Sequence, residues 1–154
     1  MDRIKESVFS SLAAAVAGSA VLDLYAGAGS FGIEAMSRGA DRVTFVESAR
    51  PALRALKANL DALDIDAEVC AMSVERWLTR QDGPHDLVFC DPPWPMASGD
   101  LASVLTSLAP SLTPDAIVVI TRRTGDVEPE PAGMRISDVR ALGGTTIIRY
   151  VMER

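Results

Sequence analysis

Three glycines behind one carboxylate, and a second carboxylate set between an apolar run and two prolines, are the residues of this chain whose types and spacing could do chemistry. The first group is Asp23 with Gly27, Gly29 and Gly32, which satisfies G-x-G-x-x-G behind the apolar run at 20–25, and Glu47 follows Gly27 by 20 residues. A strand, a glycine turn and a helix in that order open a nucleotide pocket in parallel α/β sheets, and an acid at that distance suits ribose hydroxyls. The second group, Asp91-Pro92-Pro93-Trp94, follows another apolar run at 86–90. Such sheets bind ligands beyond the carboxyl ends of their strands, so both groups are expected to face one cleft.

The glycine pattern alone fits a nicotinamide dinucleotide equally well, and the carboxylate of Asp23 decides between the two. A dinucleotide lays a diphosphate over the turn and the helix start, and an acid four residues ahead of the first glycine would repel it. S-adenosyl-L-methionine has no phosphate; its ammonium and sulfonium are attracted by an acid. The expected cofactor-binding residues are Asp23 at the amino-acid end, Tyr25, Ala26, Gly27, Gly29 and Phe31 around the turn, Glu47 with its neighbour Ser48 at the ribose, and Asp91. Gly27 and Gly29 would let the backbone come close where any Cβ obstructs.

The second group suits transfer to an amine. An exocyclic base amine is a poor nucleophile because its lone pair is delocalised into the ring, and a catalyst helps by accepting its hydrogen bonds and holding it in line with the methyl group. Asp91 can accept one of those bonds and the carbonyl of Pro92 another, while Pro92 and Pro93 stiffen the loop. Trp94 offers a flat face for an extruded base. These four are the expected catalytic residues; no metal is required. The lone His85 is read as a loop residue.

Period and punctuation place the elements that must hold these groups. Residues 2–17 read as a helix on the sheet edge, with Asp2 as a cap and Ile4, Val8, Phe9 and Leu12 on one face. Strands are predicted at 20–25, 42–47, 67–71, 86–90 and 116–121, the last being the most uniformly apolar and so central. Helices are predicted from Ser30 to Arg38, from a Ser48 cap with Pro51 in its first turn to Leu63, from a Ser73 cap through Trp77 and Leu78, and from Asp100 to Leu108, with Pro110 and Pro114 in the turn that follows. Residues 125–133 read as a loop, and 135–142 and 145–152 flank Gly143-Gly144 as a hairpin. The fold class is α/β, a Rossmann-like seven-stranded, mostly parallel sheet of order 3-2-1-4-5-7-6 with a C-terminal antiparallel hairpin, in a single domain over residues 1–154.

The chain has 154 residues, 48% of them hydrophobic, enough for a substantial core. No apolar run reaches membrane length, and Met1-Asp2-Arg3 lacks the layout of a signal peptide, so a cytoplasmic location is expected. Cys70 and Cys90 fall on strands with two others between them, too far apart to bridge. The net charge of −6 argues against a strong nonspecific grip on nucleic acid and leaves Arg38 with Arg42, Arg50 with Arg54, and Arg122 with Arg123 as local basic clusters.

The chain resembles the RsmD-type bacterial 16S ribosomal RNA guanine-N2 methyltransferases. The resemblance is carried by D-R-I-K-E-S-V-F at 2–9, V-L-D-L-Y-A-G-A-G-S-F-G-I-E-A-M-S-R-G-A at 21–40, V-T-F-V-E at 43–47 and P-H-D-L-V-F-C-D-P-P-W at 84–94. It implies methylation of a guanine N2 amine in 16S rRNA, within the 30S subunit or an assembly intermediate, by a monomer. Family members carry a basic segment ahead of the first helix, and the expectation here is a protein that does without it. Ser73 stands where the family has an acid near the adenine, which shifts base recognition to backbone groups around Met72 and Ser73; Thr121-Arg122-Arg123 stands where an acid is common, and Trp94 where Phe or Tyr is usual. Spacing alone identifies an amine methyltransferase and leaves open adenine-N6 in DNA or RNA, or a cofactor-binding scaffold without activity; an oxidoreductase is disfavoured by Asp23.

Overall fold

The computed structural model describes residues 2–153; Met1, part of the start considered above, and Arg154 lie outside the described residues. Strands β1 (Ala20–Leu24), β2 (Arg42–Glu47), β3 (Glu68–Ala71), β4 (His85–Cys90), β5 (Leu112–Arg123), β6 (Met134–Leu142) and β7 (Thr145–Met152) form one seven-stranded sheet of order β3-β2-β1-β4-β5-β7-β6. The first five pair in parallel, and β7 runs antiparallel to both β5 and β6. This is the predicted order. Helices α1 (Asp2–Leu12), α2 (Ser30–Ser37), α3 (Arg50–Ala62), α4 (Val74–Leu78) and α5 (Ser98–Ser107) cover its faces.

Side chains alternate along each strand, so each strand feeds two cores. Val21, Val43, Phe45, Leu87, Phe89 and Val119 pack with α1, α2 and α3, whereas Leu22, Leu24, Val46, Val88, Cys90 and Ile120 pack with α4 and α5. All five residues of β1 are buried. Gly32 on α2 is the close-packing glycine of the motif: a Cβ there would meet Phe45 Cε1 at 2.3 Å, so helix and strand could not keep their separation with any larger residue. Both cysteines are unpaired and buried on strands with two others between them, as expected.

Several local expectations are corrected. The first helix ends at Leu12, followed by a short 3-10 turn, and Asp2 lies inside it rather than capping it. It packs over the middle of the sheet and not its edge: Phe9 lies 5.3 Å from Phe89 of β4, ring centroid to centroid, and Arg38 caps the Phe9 ring at 5.0 Å. Tyr25 leaves the strand with φ 56°. Ser48 does not cap α3; its cap position is Ala49, without a side-chain bond, and Pro51 supplies the helical start. Pro114 lies within β5, which reaches back to Leu112 past a register shift opposite His85 and Leu87, so the residue is held at an irregularity and not in a turn. The strand is interior, one place beyond β4. The helix placed from Asp100 begins at Ser98.

His85 is the plainest correction among single residues. It opens β4, is only 2% exposed, engages the Ser111 carbonyl through Nδ1 at 3.1 Å and packs against Trp77 at 5.8 Å. Burial, more than anything else nearby, pushes its pKa below the ordinary histidine value.

Candidate active site at the carboxyl edge of the sheet

Strand register assembles the site. Glu47 of β2 pairs with Ala71 of β3, Leu24 of β1 with Val46 and Cys90, and Cys90 with Ile120 of β5. The next residues out, Tyr25, Asp91 and Thr121, therefore share one level with Glu47 at the carboxyl edge. Because side chains alternate, Asp23, Glu47, Asp91 and Thr121 continue the rows of Val21, Phe45, Phe89 and Val119 and fall on the α1–α3 face. Residues 68 positions apart, Asp23 and Asp91, thereby become electrostatic neighbours.

Asp23 is 1% exposed, and its Oδ2 accepts a hydrogen bond from the Gly32 N–H at 2.9 Å. Burial raises its pKa well above the usual carboxylate range; the Gly32 N–H works the other way, and Asp91 and Glu47 add repulsion. A buried acid with two acidic neighbours is poised for a cationic ligand, since a positive charge would reverse the cost of ionising it.

Glu47 ties the glycine turn to the start of α3. Its Oε1 accepts from the Gly27 N–H at 2.8 Å, and its Oε2 accepts from the Ser48 and Ala49 N–H groups, both at 2.9 Å. A carboxylate has about four lone-pair sites, and three are taken. Engaging both ribose hydroxyls would require sharing or release of one of these backbone bonds. Ser48 contributes its backbone N–H to this arrangement.

The turn itself separates the glycines. Gly27 has φ 58° with nothing within 4 Å of an added Cβ, so its backbone faces open space. Gly29 has φ 92°, and a Cβ there would strike Leu56 Cδ1 at 2.4 Å. It is glycine for the sake of the core, not for approach to a ligand. Just ahead of Gly27, Ala26 closes the turn, its N–H bonded to the Val46 carbonyl and its carbonyl to the Gly29 N–H. Phe31 is likewise corrected: it is 5% exposed and its ring stacks on Phe89 at 5.3 Å, which places it in the core and out of the cleft. Tyr25 is half-buried, with its hydroxyl 3.4 Å from Glu75 Oε1 and 3.9 Å from Met96 Sδ.

On the far side Ser73 does cap its helix, accepting from the Arg76 N–H at 3.1 Å, and the Met72 N–H is bonded to the Cys70 carbonyl at 2.9 Å. The Met72 N–H is spent within the protein, whereas exposed Ser73 keeps its O–H as a donor. Met72 remains as a half-buried apolar wall packed against the α4–α5 core.

The loop after β4 is rigid for more reasons than its prolines. Pro92 is buried, the Pro93 carbonyl accepts from the Met96 N–H at 3.0 Å, and Arg122 Nη2 donates to the Met96 carbonyl at 3.0 Å. Trp94 projects with 43% of its surface exposed. Asp91 accepts a short hydrogen bond from the Thr121 hydroxyl; burial raises its pKa, and that bond works in the lowering direction. Thr121 and Arg122 were not chosen from the sequence as site residues. For Thr121 the signal available is parity, which puts it on the face of Asp91; for Arg122 it is membership of the basic pair at the end of strand five.

The basic clusters divide. Arg38 is held by Glu34 at 2.8 Å and Arg42 donates to the Pro84 carbonyl at 2.9 Å, at the opposite edge of the sheet from the cleft. Arg50 and Arg54 are exposed near the start of α3, and Arg123 is exposed beside the 91–94 loop.

Comparison with known proteins bears on the chain's family. A family model described as conserved hypothetical protein 95 matches residues 1–151. Ribosomal RNA small subunit methyltransferase D of Haemophilus influenzae is 38% identical over 124 residues, covering 77% of this chain and 64% of that protein. Its namesake in Escherichia coli is 36% identical over 94 residues, covering 60% and 48%. The aligned part of this chain thus spans about half to two thirds of these relatives' length. A solved conserved hypothetical protein from Streptococcus pyogenes superimposes with a TM-score of 0.88 at 28% identity, over 97% of this chain and 95% of that one. With the family match running over nearly its whole length, the chain belongs to the conserved hypothetical protein 95 family, the RsmD type.

Proposed function

We propose that this protein transfers a methyl group from S-adenosyl-L-methionine to the exocyclic N2 amine of a guanine in 16S rRNA, acting in the cytoplasm as a single-domain monomer on the 30S subunit or an assembly intermediate. The observation that carries the reading is the row of three carboxylates, Glu47, Asp23 and Asp91, at one sheet edge beside a rigid proline loop. The names of the curated relatives support the ribosomal RNA substrate.

The residues present fit the cofactor. Asp23 and the turn around Gly27 would hold its amino-acid end, with Tyr25 and Ala26 beside them, Glu47 and the Ser48 backbone its ribose, and Met72 its base. When bound, the sulfonium supplies an electrophilic methyl group. Asp91 accepts a hydrogen bond from the target amine and receives the proton that the amine sheds as the new bond forms. The Pro92 carbonyl accepts the second N–H, Pro93 and the bonds around Met96 keep both acceptors in place, and Trp94 supports the base by stacking. The raised pKa of Asp91 suits a group that must take up a proton and return it.

A labelled-methyl assay on naked 16S rRNA and on 30S particles lacking the modification tests this. Transfer to guanine N2 in 30S particles is expected; cofactor binding with no transfer to either RNA would leave only a scaffold. Thr121 offers a subtler test. Thr121→Val keeps a strand-compatible shape but removes the hydroxyl that stabilises ionised Asp91, so the Asp91 pKa rises further. The acid limb of the pH–rate profile is then expected to move to higher pH, with a rate loss of about 10-fold at its foot; an unshifted profile would show that Asp91 does not titrate in catalysis.

A further inference from the structure

We infer that the concavity on the β5 side of the 91–94 loop is a subsite for one nucleotide of the RNA strand, its base against Trp94 and its phosphate against Arg123 and Arg122. The inference rests on the RNA-methylating reading and adds which protein groups take the phosphodiester. The cavity, about 600 Å³, is lined by Trp94, Met96, Ser98, Arg122, Arg123 and Val127, and by the carboxylate-bearing Asp126. That volume is in the range of small-ligand sites. Trp94 and Val127 are two of the large apolar side chains that the protein leaves exposed, at 43% and 76%, and both line this one wall.

Arg122 is the second, independent observation. Its side chain is 3% exposed, and only Nη2 is spent on the protein: on the Met96 carbonyl at 3.0 Å, on Ser98 Oγ at 3.3 Å and near Asp126 Oδ2 at 3.6 Å. Its Nε and Nη1 are buried without a hydrogen-bond partner. A guanidinium stays charged and its fork of donors matches a phosphate, so an oxyanion is the acceptor these two groups lack. Arg123, 61% exposed, donates to Asp126 at 3.2 Å. Two guanidiniums against one carboxylate leave the pocket with a net positive charge in a chain of net charge −6. An aromatic face beside a guanidinium pair is the combination that binds single-stranded nucleic acid through both base and backbone. Arg122 alternates with Thr121 along β5 and so faces away from Asp91; the pocket meets the catalytic loop through Trp94.

Fluorescence titration of the intact protein tests the subsite, because Trp94 is exposed and Trp77 is fully buried. The probes are guanosine 5′-monophosphate, guanosine and inorganic phosphate. The monophosphate is expected to quench Trp94 and to bind about 10-fold tighter than the nucleoside, the fold-change of one charge-assisted hydrogen bond. Arg123→Gln should reduce that preference severalfold, Trp94→Ala should remove the quench, and inorganic phosphate alone should leave the emission unchanged. Equal affinity for nucleoside and monophosphate, no binding of either, or a preference untouched by Arg123→Gln overturns the subsite, and a response to phosphate alone reduces it to a bare anion site. Titration of the wild type with S-adenosyl-L-methionine is run alongside: cofactor binding without phosphate preference sinks only the subsite, whereas failure to bind the cofactor sinks the methyltransferase reading itself.

Discussion

Asp91→Ala is expected to cut methyl transfer by about 100- to 1,000-fold while changing cofactor affinity by no more than a few fold. The carboxylate sits on a loop fixed from three directions, by the Thr121 hydroxyl, by the Pro93–Met96 turn and by Arg122 on the Met96 carbonyl. Its removal therefore takes away a preorganised acceptor and leaves the shape of the loop standing. Loss of one such group aimed at a developing charge costs about 100- to 1,000-fold in turnover. In the proposed arrangement the cofactor is held mainly from the ends of β1, β2 and β3, so its affinity has little reason to follow. Single-turnover transfer and calorimetric binding on the same preparation check the two halves. Asp91→Asn separates charge from geometry: its amide oxygen can still accept the Thr121 hydroxyl, but it can take no proton, so turnover should stay low. Near-normal turnover of either variant would remove Asp91 from the chemistry.

Asp23→Asn is expected to bind the cofactor about 10- to 100-fold more weakly and yet to unfold at a higher temperature. The weakening is the loss of one charge-assisted interaction with a cation, roughly 1.5–3 kcal/mol. The stabilisation follows from linkage. Burial raises the folded-state pKa of Asp23 above its unfolded value, so the folded protein holds this proton more tightly than the unfolded chain does. The group's contribution to stability therefore falls as pH rises from the unfolded pKa through the raised folded one, and its full cost is borne above that. Asparagine removes the cost and still accepts the Gly32 N–H. The gain should show at neutral pH and vanish in acid; each 1 kcal/mol gained moves the midpoint by about 2–4 °C at this size. Melting curves at several pH values report it. The same titration makes cofactor affinity of the wild type weaken as pH falls through the raised Asp23 pKa, because only the ionised acid attracts the sulfonium compound.

The sheet order and the place of the cleft were legible because they rest on long apolar runs and on turn residues, features written in consecutive positions. Asp23, Glu47 and Asp91 could be singled out for the same reason, each standing at the end of such a run. What escaped depends on partners far away in sequence. His85 looks like a turn residue beside Gly83 and Pro84, and only the Ser111 carbonyl, 26 residues on, makes it a buried strand residue. Phe31 stands in the glycine motif but is claimed by Phe9 and Phe89, and Gly29 by Leu56. Ser48 has the right type for a cap, but a helix capped there would put Pro51, which has no N–H, at the third position; α3 starts one residue later, with Ala49 at the cap. Thr121 reads as the tail of an apolar strand and Arg122 as half of a basic pair; what they touch is set by the parallel pairing of β5 with β4, which no local window contains.

The claim on which everything else depends is that a buried acid ahead of the glycine turn selects a cationic alkyl donor over a diphosphate. Isothermal titration of the wild-type protein at neutral pH with S-adenosyl-L-methionine and, separately, with NADH tests it most directly. Saturable binding of the sulfonium compound with no measurable heat from the dinucleotide is the expected result. Tight binding of NADH and none of S-adenosyl-L-methionine would contradict it.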